Sequence, residues 1–403
     1  MISNVSGGRL SFENTRFVSK EYFSQLPETR KPRNGDLLFT VTGSYGIPVL
    51  IDSDDKFCFQ RHIAIVRPCT ISNRYLYVIL GSSYVKSICD AKATGTAQKT
   101  VGLATLRELL IPVAPYKEQM QIYAQTQDAL SIVDSVSSDK EDLLNIIESA
   151  KTKILDLAIR GQLVPQDPTD EPASVLLERI RAEKEELIKQ GKIKRDKKES
   201  VIFRGEDNSY YEKMADGKLH CLDNQLPFEL PDGWEWCNLS MIGTTNIGLT
   251  YRPTDIEPGG IMVLRSCNIV NDQVDLSGLV RVKTTVRENQ FAQKNDILIC
   301  ARNGSRSLVG KCALIPDLRE PASFGAFMAI YRTEYFEFIV HYLRSSFFRS
   351  VFDDSNSTAI NQLTQDMLKR AIVPLPPLSE QRRIVEAIGA MLFELNQIEK
   401  SLS

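Results

Sequence analysis

Histidine and tryptophan are scarce, with three and two residues in a chain of 403. The eight cysteines (58, 69, 89, 221, 237, 267, 300 and 312) lie far apart, and no two make a C-x-x-C pair. Structural zinc and dithiol redox sites draw on that spacing, with histidine completing the ligand set. His220-Cys221 with Cys237 comes nearest to a metal cluster; it lacks further ligands, so no metal is expected and the thiols read as reduced. No stretch approaches the roughly 18 apolar residues of a membrane span. The opening "MISNVSGGRLSFENTR" has no charged head followed by an apolar core, as a signal peptide would. These features point to a cytoplasmic protein without a membrane partner. The net charge of −2 provides no overall attraction to nucleic acid, so any such contact must rest on a local patch.

Catalytic signatures are missing as well. "GSRSLVGKC" (Gly304 to Cys312) imitates a phosphate-binding loop, but it has five residues between its glycines, where the motif has four, and Cys312 replaces the magnesium-binding hydroxyl. There is no Asn-Pro-Pro-Tyr-like methylase loop, no glycine-rich cofactor fingerprint, and no paired acids with lysine for metal-dependent cleavage. No cofactor site and no catalytic residue is expected on this chain.

What the chain does contain is a duplication. A shift of 262 positions carries Thr96-Ala97 onto Thr358-Ala359, Leu106-Arg107 onto Leu368-Lys369, Pro112 onto Pro374, Glu118-Gln119 onto Glu380-Gln381 and Ile122 onto Ile384. With small gaps, "NGDLLFTVTGS" (34–44) parallels "KNDILICARNGS" (294–305), and "FQRHIAIVRP" (59–68) parallels "FGAFMAIYRT" (324–333). Self-similarity at this scale means two copies of one folding unit. Each copy reads as short apolar strands and turns, then a proline-rich joint opening a helix. In the joint "PLPPLSEQRRI" the prolines hold the preceding residues extended, Ser379 is placed to cap the helix, and Glu380 suits its positive first turn.

The helix after the second joint carries Ile384, Ile388, Met391, Leu395, Ile398 and Leu402 in alternating steps of four and three, a coiled-coil seam that requires a partner. The helix after the first joint, about Tyr116 to Arg160, offers Tyr123, Leu130, Val133, Leu144, Ile147 and Ile154, interrupted by Ser137, Lys140 and Lys151. At ~1.5 Å per residue it would span about 65 Å. Gly161 and Pro165 end it, and an amphipathic helix beginning "ASVLLERI" follows, whose basic end "KIKRDKK" is either a solvated face or a contact for phosphate or a partner subunit.

Two units each followed by a P-x-P-P-x-x-E-Q type joint, together with "ILDLAIRGQLVPQDPTDEPASVLLERI" and "LPDGWEW" (Leu230 to Trp236), resemble the specificity subunit of type I restriction-modification systems over essentially the whole chain. The resemblance implies an α+β fold of two pseudo-repeated target-recognition domains separated by long helices that pair as an antiparallel coiled coil. The expected division is 1–115 and 201–377 for the two recognition units, 116–200 for the central helices, and 378–403 for the C-terminal helix. It further implies a non-catalytic subunit that reads the two halves of a bipartite, asymmetric site in double-stranded DNA, and that docks two methyltransferase subunits and, in complete systems, restriction subunits. S-adenosylmethionine, ATP and magnesium would belong to those partners. A rod of that length can hold two readers on separate turns of DNA, each about 34 Å along the duplex.

Base readout needs side chains with paired donors or acceptors on loops near the major groove. "ARNGSRS" offers Arg302, Asn303, Ser305 and Arg306, and its counterpart "TVTGSYG" offers Thr42, Ser44 and Tyr45. Further candidates are Gln60, Arg61, Arg252, Arg265 and Asn268, with Lys283 for phosphate. An ordinary polar turn is the plainer reading of both loops, and Trp234 and Trp236 read as packing anchors. The 262 shift leaves no counterpart for "LPDGWEW" ahead of Met1, and the second long helix ends before the counterpart of Arg160. An incomplete first unit, and a subunit inactive for that reason, are therefore expected alternatives, as are a self-sufficient fused methyltransferase or nuclease and a coiled-coil scaffold that does not read DNA.

Overall fold

The computed structural model describes residues 4–402 apart from 7, 14, 61, 96–97, 192–199, 215 and 354–361. Arg61, both Thr-Ala pairs of the repeat and the basic run "KIKRDKK" lie outside the described residues. The chain divides into two compact units, Met1–Glu141 and Asp142–Ser403, with the boundary inside the long helix Tyr116–Ile159.

The duplication is visible in the backbone of each unit. In the first, the strand Leu37–Thr40 lies between Pro48–Leu50 and Ile63–Val66, all antiparallel. In the second, Ile297–Cys300 lies in the same way between Cys312–Leu314 and Met328–Arg332. The outer neighbours of that second trio are Thr244–Ile247 on one side and the short strands Gln273–Val274 and Ile269–Val270 on the other, giving six strands. A separate three-stranded sheet, Val280–Val282, Ile256–Leu264 and Ala322–Phe324, stands beside it.

The central strands are unbroken apolar runs because both of their faces are covered. Successive side chains point to opposite faces, so Ile297 and Ile299 enter one core while Leu298 and Cys300 enter another. Leu37 and Phe39 are divided from Leu38 in the same manner. Each trio is followed by helices. Ser72 caps Asn73–Leu80 and Ser82 caps Ser83–Lys92 by accepting from backbone amides of the first turn; in the second unit Phe336–Arg344 and Ser346–Asp353 occupy the equivalent place.

One ion pair occurs in both units. The Arg67 guanidinium donates to both carboxylate oxygens of Asp36 at 2.8 and 2.7 Å, and Arg332 does the same to Asp296 at 2.6 and 2.7 Å. Both aspartates also accept a backbone amide three residues upstream, from Arg33 and Gln293. Each pair ties the residue before the central strand to the end of its neighbour. Burial opposes ionisation of Asp36, yet the Arg67 bonds and the Arg33 amide together outweigh it and hold the carboxyl below its ordinary range.

The joints are duplicated too. Buried Gln119 and Gln381 each donate to the carbonyl five residues back, Ala114 at 2.8 Å and Pro376 at 2.9 Å. The second joint is further locked by Glu380, 1% exposed, which accepts from the Trp234 indole at 2.9 Å and from Gln166 at 2.8 Å. Burial pushes the Glu380 carboxyl up, against these two hydrogen bonds. Gly161, at φ +66°, closes the same cluster, and a Cβ there would stand 2.5 Å from Pro231 and 3.0 Å from Trp234. Three stretches far apart in sequence, "GQLVPQDP", "LPDGWEW" and "PLPPLSEQ", therefore meet in one buried contact. The C-terminal helix Leu378–Ser401 begins with Pro377 at its N-cap, so Ser379 lies in the first turn and does not cap it.

Within the second unit the end of the long helix and the C-terminal helix run antiparallel. Lys151 pairs with Glu399 at 2.6 Å, while Gln166, just past the long helix, meets Glu380 at the start of the other. Ile154, Leu155, Ala158 and Ile159 share a core with Ile384 and Ile388. The expected stripe is not buried throughout: Leu130, Val133, Met391 and Ile398 are exposed. The helix Ala173–Lys189 packs Ala173, Leu176 and Leu177 into the same core.

Candidate nucleic-acid interface

In both units the central strand ends in a loop fixed by equivalent backbone contacts. Thr42 bridges Thr100, and Arg302 bridges Gln362. The amide of Val101 donates to Val41, and that of Leu363 donates to Ala301. On the other side Val41 donates to the carbonyl of His62 and Ala301 to that of Phe327, both at 2.9 Å. One frame thus presents two loops of different content, Thr42-Gly43-Ser44 and Arg302-Asn303-Gly304-Ser305-Arg306.

In the second loop Arg302, Ser305 and Arg306 are exposed. The Arg302 guanidinium lies over the Phe327 ring at 5.4 Å. Asn303 accepts from the Ser305 amide at 3.0 Å and donates to Ser266 at 3.3 Å, which shapes the turn and links it to the neighbouring loop. Ser305 shares a hydrogen bond with Ser307 and precedes the short turn Arg306–Leu308. This segment leads into the strand Cys312–Leu314, whereas a phosphate-binding loop leads into a helix.

Arg265 lines an open, largely apolar cleft of about 470 Å³ with Tyr251, Ile256, Cys267 and Phe327. Its Nε is buried with no partner among the described residues. Arg252 follows Tyr251 on the cleft wall and is exposed, with its backbone amide held by Asp255. Arg302 and Asn303 reach the same cleft through Phe327 and Ser266, which line it together with Arg265, so these three are gathered at one mouth. Asn268 is not part of it. At 2% exposure its side chain accepts from the Arg265 amide and donates to Asp275 and Ser277, so it builds the loop that carries Arg265. Lys283 is exposed and paired with Glu257.

In the first unit Ser44 and Gln60 are exposed. Thr42 is buried and its hydroxyl accepts from Thr100. Tyr45 is buried too, donating to Asp90 at 2.8 Å with the Lys86 ammonium 4.1 Å above its ring. The Asp90 bond and burial raise the phenol above its ordinary range. Thr42 and Tyr45 thus position the loop, and Ser44 is the side chain it offers outward. His220 and Cys221 are exposed on the strand Leu219–Cys221, while Cys237 is wholly buried and burial pushes its thiol up, away from the thiolate a metal would bind. Trp234 and Trp236 are buried anchors.

Sequence reasoning missed the Asp–Arg pairs and Phe327. The former were visible as acids just before, and arginines just after, the matched apolar strands.

The architecture is that of a duplicated α+β protein with a long helix between its two copies. The family model for the type I restriction modification DNA specificity domain matches residues 5–145 and 231–402, and the chain belongs to that family. It is 31% identical over 389 residues to the type I restriction enzyme EcoAI specificity subunit of Escherichia coli, covering 84% of this chain and 63% of that one. The EcoEI specificity subunit, also of E. coli, is 29% identical over 294 residues, with 70% and 45% covered. The chain therefore spans less than two thirds of the length of these relatives. Among solved structures, a chain from the type I R-M system aligns with a TM-score of 0.59 over 94% of this chain and 80% of its own, and the HsdS subunit from Thermoanaerobacter tengcongensis with 0.51 over 94% and 78%. At 17% identity each, both speak for the fold.

Proposed function

We propose that this chain is the DNA-reading subunit of a type I restriction-modification complex, each unit reading one half of a bipartite, asymmetric site. The observation that carries the reading is the pair of loops held by the same bridges yet armed differently: arginines and asparagine in the second, one outward serine hydroxyl, that of Ser44, in the first. A shared frame with divergent side chains suits two readers of unlike half-sites. Arginine offers paired donors to guanine, and asparagine pairs with adenine.

In this reading the chain is non-catalytic and cytoplasmic, and no helix among the described residues is long and apolar enough to cross a membrane. The long helices dock two methyltransferase subunits, and restriction subunits join in complete systems. S-adenosylmethionine, ATP and magnesium act on those partners. The test is duplex selection from a random library by the full chain, with and without Arg302→Ala, Asn303→Ala and Arg306→Ala. Truncating a side chain that pairs with a base should remove about 1 to 3 kcal/mol of discrimination at one or two base pairs of a single half-site. Unchanged preference in all three variants would support a scaffold that does not read DNA through this loop.

A further inference from the structure

The interior of the cleft beside Arg302 has the wrong chemistry for a phosphate and the right chemistry for one feature of a base pair. Its wall is apolar: Leu249, Tyr251, Met328, and the outward-facing Ile256 and Phe327, which are 52% and 60% exposed. Its mouth is cationic, with the Arg302 guanidinium over the Phe327 ring and Arg265 carrying an Nε that has no partner among the described residues. Phe327 is also fixed in place, since its carbonyl accepts from both Ala301 and Arg302 at 2.9 and 3.0 Å. An exposed phenyl ring built into the frame of the reading loop stays solvated in the free protein, which points to an occupant.

On duplex DNA almost every group accessible from the major groove is a hydrogen-bond donor or acceptor. The bulkiest apolar group on a base edge there is the thymine C5-methyl, and phenylalanine is among the side chains that contact it. From this we infer that the cleft at Phe327 reads a thymine methyl in the half-site of the second unit, while Arg302 and Asn303 address a neighbouring base pair. The position equivalent to Phe327 in the first unit is His62, whose carbonyl takes the same bond from Val41. A polar ring there and an apolar ring here extend the divergence of the loops to a second point of the frame. The inference rests on the DNA-reading function proposed above and adds a base and a residue to it.

The test uses the full chain and its selected duplex, resynthesised with deoxyuridine replacing each thymine in turn. Deoxyuridine lacks only the methyl group. One position should bind about fourfold more weakly, the factor that burying a single methyl supplies. Phe327→Ala should bind thymine and deoxyuridine duplexes equally, and Phe327→Leu should recover part of the difference. A readout that needs no substitution is alkylation by N-ethylmaleimide. Selected duplex should slow the labelling of Cys267, which lines the cleft, and spare that of exposed Cys221. Selective binding with no deoxyuridine effect, a half-site without thymine, or an effect that survives Phe327→Ala overturns the cleft assignment alone. Absence of any sequence preference in the unmodified chain overturns the DNA-reading function on which it stands.

Discussion

Replacing Glu380 tests whether the three motif stretches are held by one buried contact. The carboxylate is acceptor-only at both oxygens, and each oxygen faces a donor, Trp234 Nε1 at 2.9 Å and Gln166 Nε2 at 2.8 Å. Glu380→Ala leaves the buried indole N–H without a partner, which costs about 1 to 3 kcal/mol, and it removes packing as well. We expect a loss of about 3 kcal/mol, read as a midpoint shift in urea unfolding at constant slope. Glu380→Gln is milder. Its amide can keep one acceptor toward Trp234, and its NH2 then faces the Gln166 donor; Gln166 is exposed enough to turn to water, so the loss should be about 1 kcal/mol. Trp234→Phe removes the indole donor, so the combination with Glu380→Ala should fall short of additivity by about 1 kcal/mol. A Glu380→Ala loss below about 0.5 kcal/mol, or full additivity with Trp234→Phe, would refute the joint as described.

Other substitutions probe separate parts of the fold. Gly161→Ala, at positive φ and facing Pro231 and Trp234, should cost more than about 1 kcal/mol in the same unfolding assay. Asp296→Asn breaks the bidentate pair with Arg332 and should cost about 3 kcal/mol, measured by thermal or urea unfolding. Burial first, and then the Arg344 charge, lower His341 from 6.5 to about 4. The unfolded chain therefore binds a proton that the folded one refuses, so stability is complete above about pH 6.5 and falls by about 2 to 3 kcal/mol as pH drops toward 4. Unfolding followed across that range should show the slope, and His341→Phe should flatten it.

The repeat and the joints were legible in sequence because gapless matches such as Pro112 with Pro374 and Gln119 with Gln381 reflect shared backbone roles. The central strands were legible too, since "DILIC" has the unbroken apolar run of a strand covered on both faces. What escaped was direction. Nothing in "TVTGSYG" reveals that Thr42 and Tyr45 turn inward while Ser44 turns out, because a polar side chain in a loop finds an internal partner only through residues such as Thr100 and Asp90, tens of positions away. Asn268 has the chemistry of a base reader, yet that same chemistry lets it close its own loop through three hydrogen bonds. Phe327 gives no signal in sequence, because an aromatic residue beside a strand reads as core. The seam pattern likewise predicted burial at Leu130 and Val133, where periodicity marks an apolar face without saying what covers it.

The central claim is that two differently armed loops read two half-sites. Its most direct test is genome-wide methylated-base mapping in the source cell, with the gene intact, deleted, and carrying Arg302→Ala with Asn303→Ala. One split, asymmetric motif should vanish on deletion, and its second-unit half alone should relax in the loop variant. A methylation pattern unchanged by deletion, or a loop variant that relaxes neither half, would contradict the claim.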